Sequence, residues 1–421
     1  MISNENMAWL QDYRQAPPNL GLERVAALLD RLGNPQEKLS LIHVAGTNGK
    51  GSTIAHLSAI LQEMGLKVGV FNSPYLVRYS EQIRINQEEI SEQDLNDLLS
   101  DYQASYLTPA IPGLTEFEIV TALALDYFNR KRVDVAIIEV GMGGRLDSTN
   151  IIQPDLSLIT NIALDHTAFL GDSLAEIAAQ KGGIIKESVP LICGPLDQAA
   201  AEVIQEIAQE KGALMRRNPQ DFYGQALDSV LSGETFVFNR SGQEVGRFRT
   251  PLLGQHQIAN ASLAMEAAFL YAGIKTYPSP DTVTIQRALD RVEWQGRMEE
   301  LSAHPLIFLD GAHNPHAVRQ LVDNLADRFA GRPLRILFAC IQTKALEEML
   351  AILEELPGVE IYLTTFDDER AYPLEVMQDL AEKRGHRAVD WEEWLRSYQA
   401  DDQVLVITGS LYFIGQVKKQ Y

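Results

Sequence analysis

Short apolar runs alternate along the chain with longer stretches in which apolar residues recur every three or four positions. That alternation is the pattern of a parallel α/β fold. Strands are predicted over 40–45 (SLIHVA), 67–73, 134–140 (DVAIIEV), 155–162 and 190–194, with helices over 53–64, 116–130, 173–181 and 197–211. In 53–64, Ile54, Leu57, Ile60, Leu61 and Met64 share one face of a helix. The strands are nearly continuous apolar runs, which implies a sheet covered on both sides.

The texture changes over 214–250, where polar and apolar residues alternate around turn residues; a small antiparallel patch is expected there. Helices around 258–272 and 281–291 follow. A second α/β series then begins, with strands predicted over 306–311, 334–340, 359–365 and 403–410. The division between the two series falls near 293–298. The expected architecture is a larger domain, residues 1–295, with a P-loop-type, mostly parallel sheet, and a smaller Rossmann-like α/β domain, residues 296–421. A chain of 421 residues suits two or three domains at ~150 residues each.

Charge narrows the function. The formal net charge is −21, which argues against a nucleic-acid partner, since such proteins carry a basic patch or stripe. Basic contacts to an anionic substrate must therefore be local. Cys193 and Cys340 each end an apolar stretch, far apart, and read as small buried residues rather than a disulfide or zinc pair. No basic leader followed by an apolar run opens the chain, and no apolar run reaches the ~18 residues of a membrane span. A soluble cytoplasmic protein without membrane contact is expected.

Candidate chemistry clusters at strand ends. HVAGTNGKGS (43–52) is a strand, a glycine-rich turn and a helix start, so backbone N–H groups and the positive helix end meet at one spot. It lacks the standard P-loop spacing, because Val44 stands where the first glycine would be. A plain turn explains one glycine but not Gly46, Gly49 and Gly51 around Lys50. Lys50 can reach outer phosphates, and Ser52 offers a hydroxyl to Mg²⁺. Glu139 ends a strand where open sheets place ligands, well situated to hold Mg²⁺. Asp165 and His166 end another, and His166 is a candidate metal ligand. Lys181 and Lys186 close a helix, and residue chemistry alone does not choose between them. Gln257 and Asn260 start a helix, Arg297 lies at the division, and Asp310, His313 and Asn314 follow a second-domain strand. Polar strand ends in both halves point to a cleft between them.

Taken together, HVAGTNGKGS, SPYLVRYSEQIRI, EVGMGGRLDSTN, ALDHTAFLG, KGGIIK, LLGQHQIANA, WQGRME, LDGAHNPHA and GSLYFIGQV resemble, in order, the motifs of folylpolyglutamate and dihydrofolate synthases of the Mur ligase superfamily. The likeness runs from residue 20 almost to the C-terminus. It implies an ATP-dependent amide ligase adding L-glutamate to 7,8-dihydropteroate, to the tail of a reduced folate, or to both, through an acyl phosphate. By position it implies that Thr47, Asn48, Gly49, Lys50, Gly51 and Ser52 cradle phosphates, with Asn260, Arg297 and Asp310 as further nucleotide contacts. Ser73, Glu139 and His166 would hold Mg²⁺. Lys181 would carry a CO₂-derived carbamate, which settles the choice between the lysines, and His313 would border the reacting groups. Thr115, Phe117, Arg145, Leu146 and Asp147 resemble a pterin-lining set. The family also implies a monomer. A cell-wall amide ligase of the same superfamily is the alternative, and a nucleotide-binding regulator without catalysis a more distant one. The chain departs from the family pattern at Tyr75, where many members have histidine. It departs again at Thr343 and Ala345, which flank Lys344 where the family often has two aspartates.

Overall fold

The computed structural model describes residues 3–14, 20–399 and 402–421. Eight strands build the first sheet: β1 (Leu41–Ala45), β2 (Val68–Phe71), β3 (Ile83–Ile85), β4 (Glu88–Glu89), β5 (Val135–Glu139), β6 (Leu156–Ile159), β7 (Leu191–Cys193) and β8 (Met215–Arg217). Their order is β4-β3-β2-β5-β1-β6-β7-β8. All neighbours from β2 to β8 pair in parallel, and the β3–β4 hairpin adds an antiparallel edge.

The period-two geometry of the strands sorts their side chains between two cores. Val135 and Ile137 face a core shared with the helices Lys50–Glu63, Gln255–Lys275 and Thr282–Leu289. Ala136 and Ile138 face the other, built with Leu10, Val25, Leu98 and the helix Glu116–Lys131. This double cover is why these strands read as uninterrupted apolar runs.

A three-stranded antiparallel sheet, β9 (Phe222–Val230), β10 (Gly233–Arg240) and β11 (Gln243–Thr250), lays Phe222, Phe236, Phe238 and Phe248 on the first core. The expected patch over 214–250 is thus shorter at its start, because Met215–Arg217 joins the large sheet in parallel with β7. The last helix before the division ends at Leu289. A third sheet follows, formed by β12 (Glu299–Ala303), β13 (Leu306–Leu309), β14 (Leu334–Phe338), β15 (Glu360–Leu363), β16 (Arg387–Ala388) and β17 (Val404–Thr408), in the order β12-β13-β17-β14-β15-β16. It is parallel except for β12. The short edges β3, β4, β12 and β16 were not anticipated from the sequence: two to five residues give too little periodicity to read. Both cysteines are buried and unpaired, as the pattern suggested. Among the described residues no helix is long and apolar enough to cross a membrane.

Candidate active site

The C-terminal ends of β1, β5 and β6 face the second domain across a cleft of about 460 Å³. The loop after β1 sets its floor. Gly46 has φ +154°, and a Cβ there would lie 1.8 Å from Thr160 Oγ1. Gly49 takes φ +82° as the last residue before the helix Lys50–Glu63, a conformation that L side chains rarely adopt. The rest of the loop is pinned from β6: Thr47 N–H donates to the Asn161 carbonyl at 2.9 Å, and Asn48 N–H to Asn161 Oδ1 at 2.8 Å.

Two lysines meet over this loop. Lys50 Nζ donates to the Gly46 carbonyl at 3.0 Å, and Lys181 Nζ donates to the same oxygen at 2.9 Å. Lys181 is 4% exposed; burial, with Lys50 close by, lowers its pKa to about 7. Lys186 donates instead to the Asn150 carbonyl and does not line the cleft. Glu139 ends β5 buried, 3.9 Å from Lys50 Nζ. Burial pushes its pKa up to about 7 despite Lys50 and the Ser73 N–H.

These residues fit a divalent cation. Glu139 is a buried carboxylate short of compensating charge, and Ser73 and His166 line the same cleft. No three His, Cys, Asp or Glu converge among the described residues. A metal here would therefore lean on hydroxyl, water and phosphate oxygens, the habit of Mg²⁺. Lys181 likewise fits carbamylation, because a lysine held near pH 7 keeps a neutral amine that can attack CO₂.

The second domain closes over this floor. Lys344 Nζ reaches Asp165 Oδ1 at 2.5 Å, Asn314 Nδ2 donates to Asp165 Oδ2 at 3.1 Å, and His313 Nε2 stands 3.7 Å from it. Burial alone would raise the Asp165 carboxyl. Lys344, His313 and His166 outweigh it and hold the group well below the ordinary carboxylate range. Lys344 thus finds its acidic partner in the other domain, which makes sense of Thr343 and Ala345 beside it. Desolvation, reinforced by Lys344, lowers His313 to about 4, and its Nδ1 lies 2.7 Å from the Gly311 carbonyl. The imidazole is therefore neutral at pH 7, with its proton on Nδ1. Asp310 accepts from Met298 N–H and Ala312 N–H, both at 2.9 Å, beside Arg297.

Thr47, Asn48, Gly49, Lys50, Gly51, Ser52, Ser73, Glu139, His166, Lys181, Asn260, Arg297, Asp310 and His313 all line this one cleft. The pterin-like set does not. Thr115 caps the helix Glu116–Lys131, its hydroxyl donating to Glu118 Oε2 at 2.8 Å. The Phe117 ring stacks on Phe71 at 5.9 Å, and Arg145 and Leu146 are exposed. Asp147 is buried and accepts from Met142 N–H at 2.8 Å and Thr149 N–H at 3.0 Å. Phe117 and Asp147 stand behind the cleft wall, since a Cβ on Gly141 would meet the former at 2.5 Å and the latter at 3.1 Å.

Several cleft residues escaped the sequence reading. Arg370 is paired with Asp368 at 2.6 Å and lies 4.2 Å over the Tyr412 ring. His256 and Asn324 also line the cleft. The three-and-four spacing of Ala317, Gln320, Leu321 and Asn324 was the available signal for the last of these.

Residues 44–268 match the model of the Mur ligase middle domain, and residues 296–411 match that of the Mur ligase, glutamate ligase domain. A dihydrofolate synthase/folylpolyglutamate synthase of Bacillus subtilis is 34% identical over 429 residues, covering 98% of this chain and 97% of its own. A folylpolyglutamate synthase of Lacticaseibacillus casei is 33% identical, covering 100% and 98%. Among solved structures, an FPGS–AMPPCP–folate complex (FPGS, folylpolyglutamate synthase) superposes with a TM-score of 0.88 at 32% identity, over 100% of this chain and 99% of that one.

Proposed function

The chain belongs to the Mur ligase family, in its folylpolyglutamate and dihydrofolate synthase branch, and from that premise we propose how its cleft performs ATP-dependent ligation of L-glutamate to a folate-type carboxylate. The γ-phosphoryl group of ATP passes to the substrate carboxylate, and ADP leaves. The amine of L-glutamate then attacks the acyl carbon, and phosphate leaves. The demand on the protein is to hold these groups in line and neutralise phosphoryl charge.

One observation carries the assignment of roles: two lysine ammonium groups converge on the Gly46 carbonyl beside a buried, undercompensated carboxylate. The backbone N–H groups of 47–52 and Lys50 would take the β- and γ-phosphates. Glu139, Ser73 and His166 would hold Mg²⁺, which when bound neutralises charge on the phosphate oxygens. Lys181, carrying a carbamate, would turn from a cation crowding Lys50 into an anion that pairs with it. Asn260, Arg297 and Asp310 would contact the nucleotide from the far wall, with the division between the domains at 295/296 leaving Arg297 and Asp310 on the smaller one. Neutral His313 would border the acyl carbon and accept a hydrogen bond through Nε2. Thr115, Phe117, Arg145, Leu146 and Asp147 would shape a pterin site behind the Gly141 wall. We place the enzyme in the cytoplasm as a monomer, with substrates that are all small molecules.

The deciding experiment is ATP-dependent phosphate release with L-glutamate, Mg²⁺ and bicarbonate, comparing 7,8-dihydropteroate with tetrahydrofolate. Release with both is the expected result, and it assigns both activities to one cleft. Release with one alone restricts the enzyme to that substrate. Silence with both overturns the reading.

A further inference from the structure

Directly after Glu139 the chain runs along the cleft wall through Gly141, Met142 and Gly143, then turns behind that wall. The far end of this loop is anchored to the segment that carries Lys181. Arg145 N–H donates to the Gln180 carbonyl at 2.8 Å, and Asn150 Nδ2 donates to the Arg145 and Gly183 carbonyls, both at 3.0 Å. A Cβ on Gly144 would lie 3.0 Å from the Lys181 carbonyl. The near end has fewer ties. Val140 N–H reaches the Val44 carbonyl at 2.9 Å, and the next fixed point is Met142, whose N–H donates to Asp147 Oδ2 at 2.8 Å.

Asp147 is held in turn from β1. Its Oδ1 accepts the Thr149 N–H at 3.0 Å and the Thr149 hydroxyl at 2.5 Å. That hydroxyl has one proton, and it faces the carboxylate. Its oxygen therefore accepts from His43 Nε2, 2.9 Å away, which places the imidazole proton on Nε2. Nδ1 is left as an acceptor, buried and without a partner. A buried polar atom left unmet in this way calls for an explanation. His43 and Thr149 are both 0% exposed and neither lines the cleft, so neither meets a substrate. What the ring supplies is a donor at Nε2, which keeps the Thr149 proton turned to Asp147. Its strand also leads into the phosphate loop, and Val44 beside it stands opposite Glu139.

We propose that His43 and Thr149 are positioning residues for the ligation: through Asp147 they hold the turn at Gly141 and Met142, and with it the depth at which Glu139 enters the cleft. Because the far end of the loop is anchored beside Lys181, slack introduced at Thr149 passes to Met142 and Glu139. The proposal rests on the reading of Glu139 as the carboxylate that holds a divalent cation in a ligase cleft.

The test is Thr149→Val, which keeps the shape of the side chain and removes the hydroxyl. Mn²⁺, followed by electron spin resonance without nucleotide, should bind the variant about tenfold more weakly, the scale of a lost partner behind a metal ligand. Its kcat should fall about 10–10²-fold, with the KM for ATP at saturating Mg²⁺ within about twofold of wild type, because the phosphate loop is untouched. Thr149→Ser restores the hydroxyl and should restore both quantities. A Mn²⁺ affinity within about twofold of wild type overturns the proposal, as does a loss that Thr149→Ser leaves in place. Should Thr149→Val not fold, the histidine decides. His43→Gln sets an amide nitrogen where Nε2 stands and should keep the Mn²⁺ affinity, whereas the shorter His43→Asn should lose it; equal affinities overturn the proposal. If Thr149→Val binds Mn²⁺ as wild type does and wild type releases phosphate, the positioning role falls while the ligase reading stands. If wild type releases no phosphate, the ligase reading falls, and the Mn²⁺ comparison alone decides whether Glu139 is positioned in this way.

Discussion

On the first-domain floor, Lys50 and Lys181 crowd one carbonyl oxygen while Glu139 stands 3.9 Å from the nearer ammonium group. At the seam between the domains, Asp165 has Lys344 at 2.5 Å, Asn314 at 3.1 Å and His313 at 3.7 Å. Both clusters are buried, and both mix cations with a carboxylate. Their acidities separate them. The Glu139 carboxyl is pushed up and the Lys181 ammonium down, because burial outweighs their partners. The Asp165 carboxyl is pushed down, because its partners outweigh burial. A site whose charges are left short of partners has room for ligand charge, whereas a site whose charges are satisfied holds structure together.

The sharpest way to break this comparison is at the seam. Lys344→Met strands Asp165 in a buried place, so unfolding in urea should show a loss of about 3–5 kcal/mol. The double variant with Asp165→Asn should recover much of it. A loss below about 1 kcal/mol would make the seam pair a surface feature.

On the floor the balance should be reversed. Lys50→Ala should lower phosphate release by about 10²–10³-fold, the scale of one removed transition-state contact. Its stability should change little, because the residue is already crowded by Lys181. Equal losses of activity and stability would mean that the floor is built like the seam.

The most gradual effect is a pH slope. Lys181 is lowered from 10.5 to about 7 in the folded chain, so between those values the unfolded chain binds the additional proton. Stability contributed by this group therefore rises with pH across about 7 to 10.5. Urea midpoints in bicarbonate-free buffer should show that rise in wild type, and Lys181→Met should lack that share of it. Parallel slopes in the two proteins would show that Lys181 is not held in this way.

Much of this floor was legible in the sequence. The apolar runs at 40–45 and 134–140 and the glycines around Lys50 sit within single elements, and strand ends in a doubly covered sheet face one edge. His166 follows from the same edge, since its loop leaves β6, whereas Ser73, in the loop after β2, came only from the family resemblance. The seam was not legible, because Asp165 and Lys344 are 179 residues apart and nothing local to either pairs them. Thr343 and Ala345 could be read in the sequence only as a departure from the family pattern, because the partner of Lys344 lies in another domain. Thr115 and Asp147 mark the opposite limit. Their spacing satisfies a helix cap and a turn, and the local pattern does not separate these from a binding site.

The sequence by itself determined the alternation of strands and helices, the covered sheet, the glycine-rich loop around Lys50 and the side chains offered at the strand ends. These depend on periodicity and on neighbours a few residues away. Tertiary structure alone decided which offered groups meet, which are left short of charge, and which nitrogen of a ring such as His43 finds a partner. Those outcomes depend on burial and on partners brought from distant segments: His43 from β1 to Thr149, and Lys344 from the second domain to Asp165.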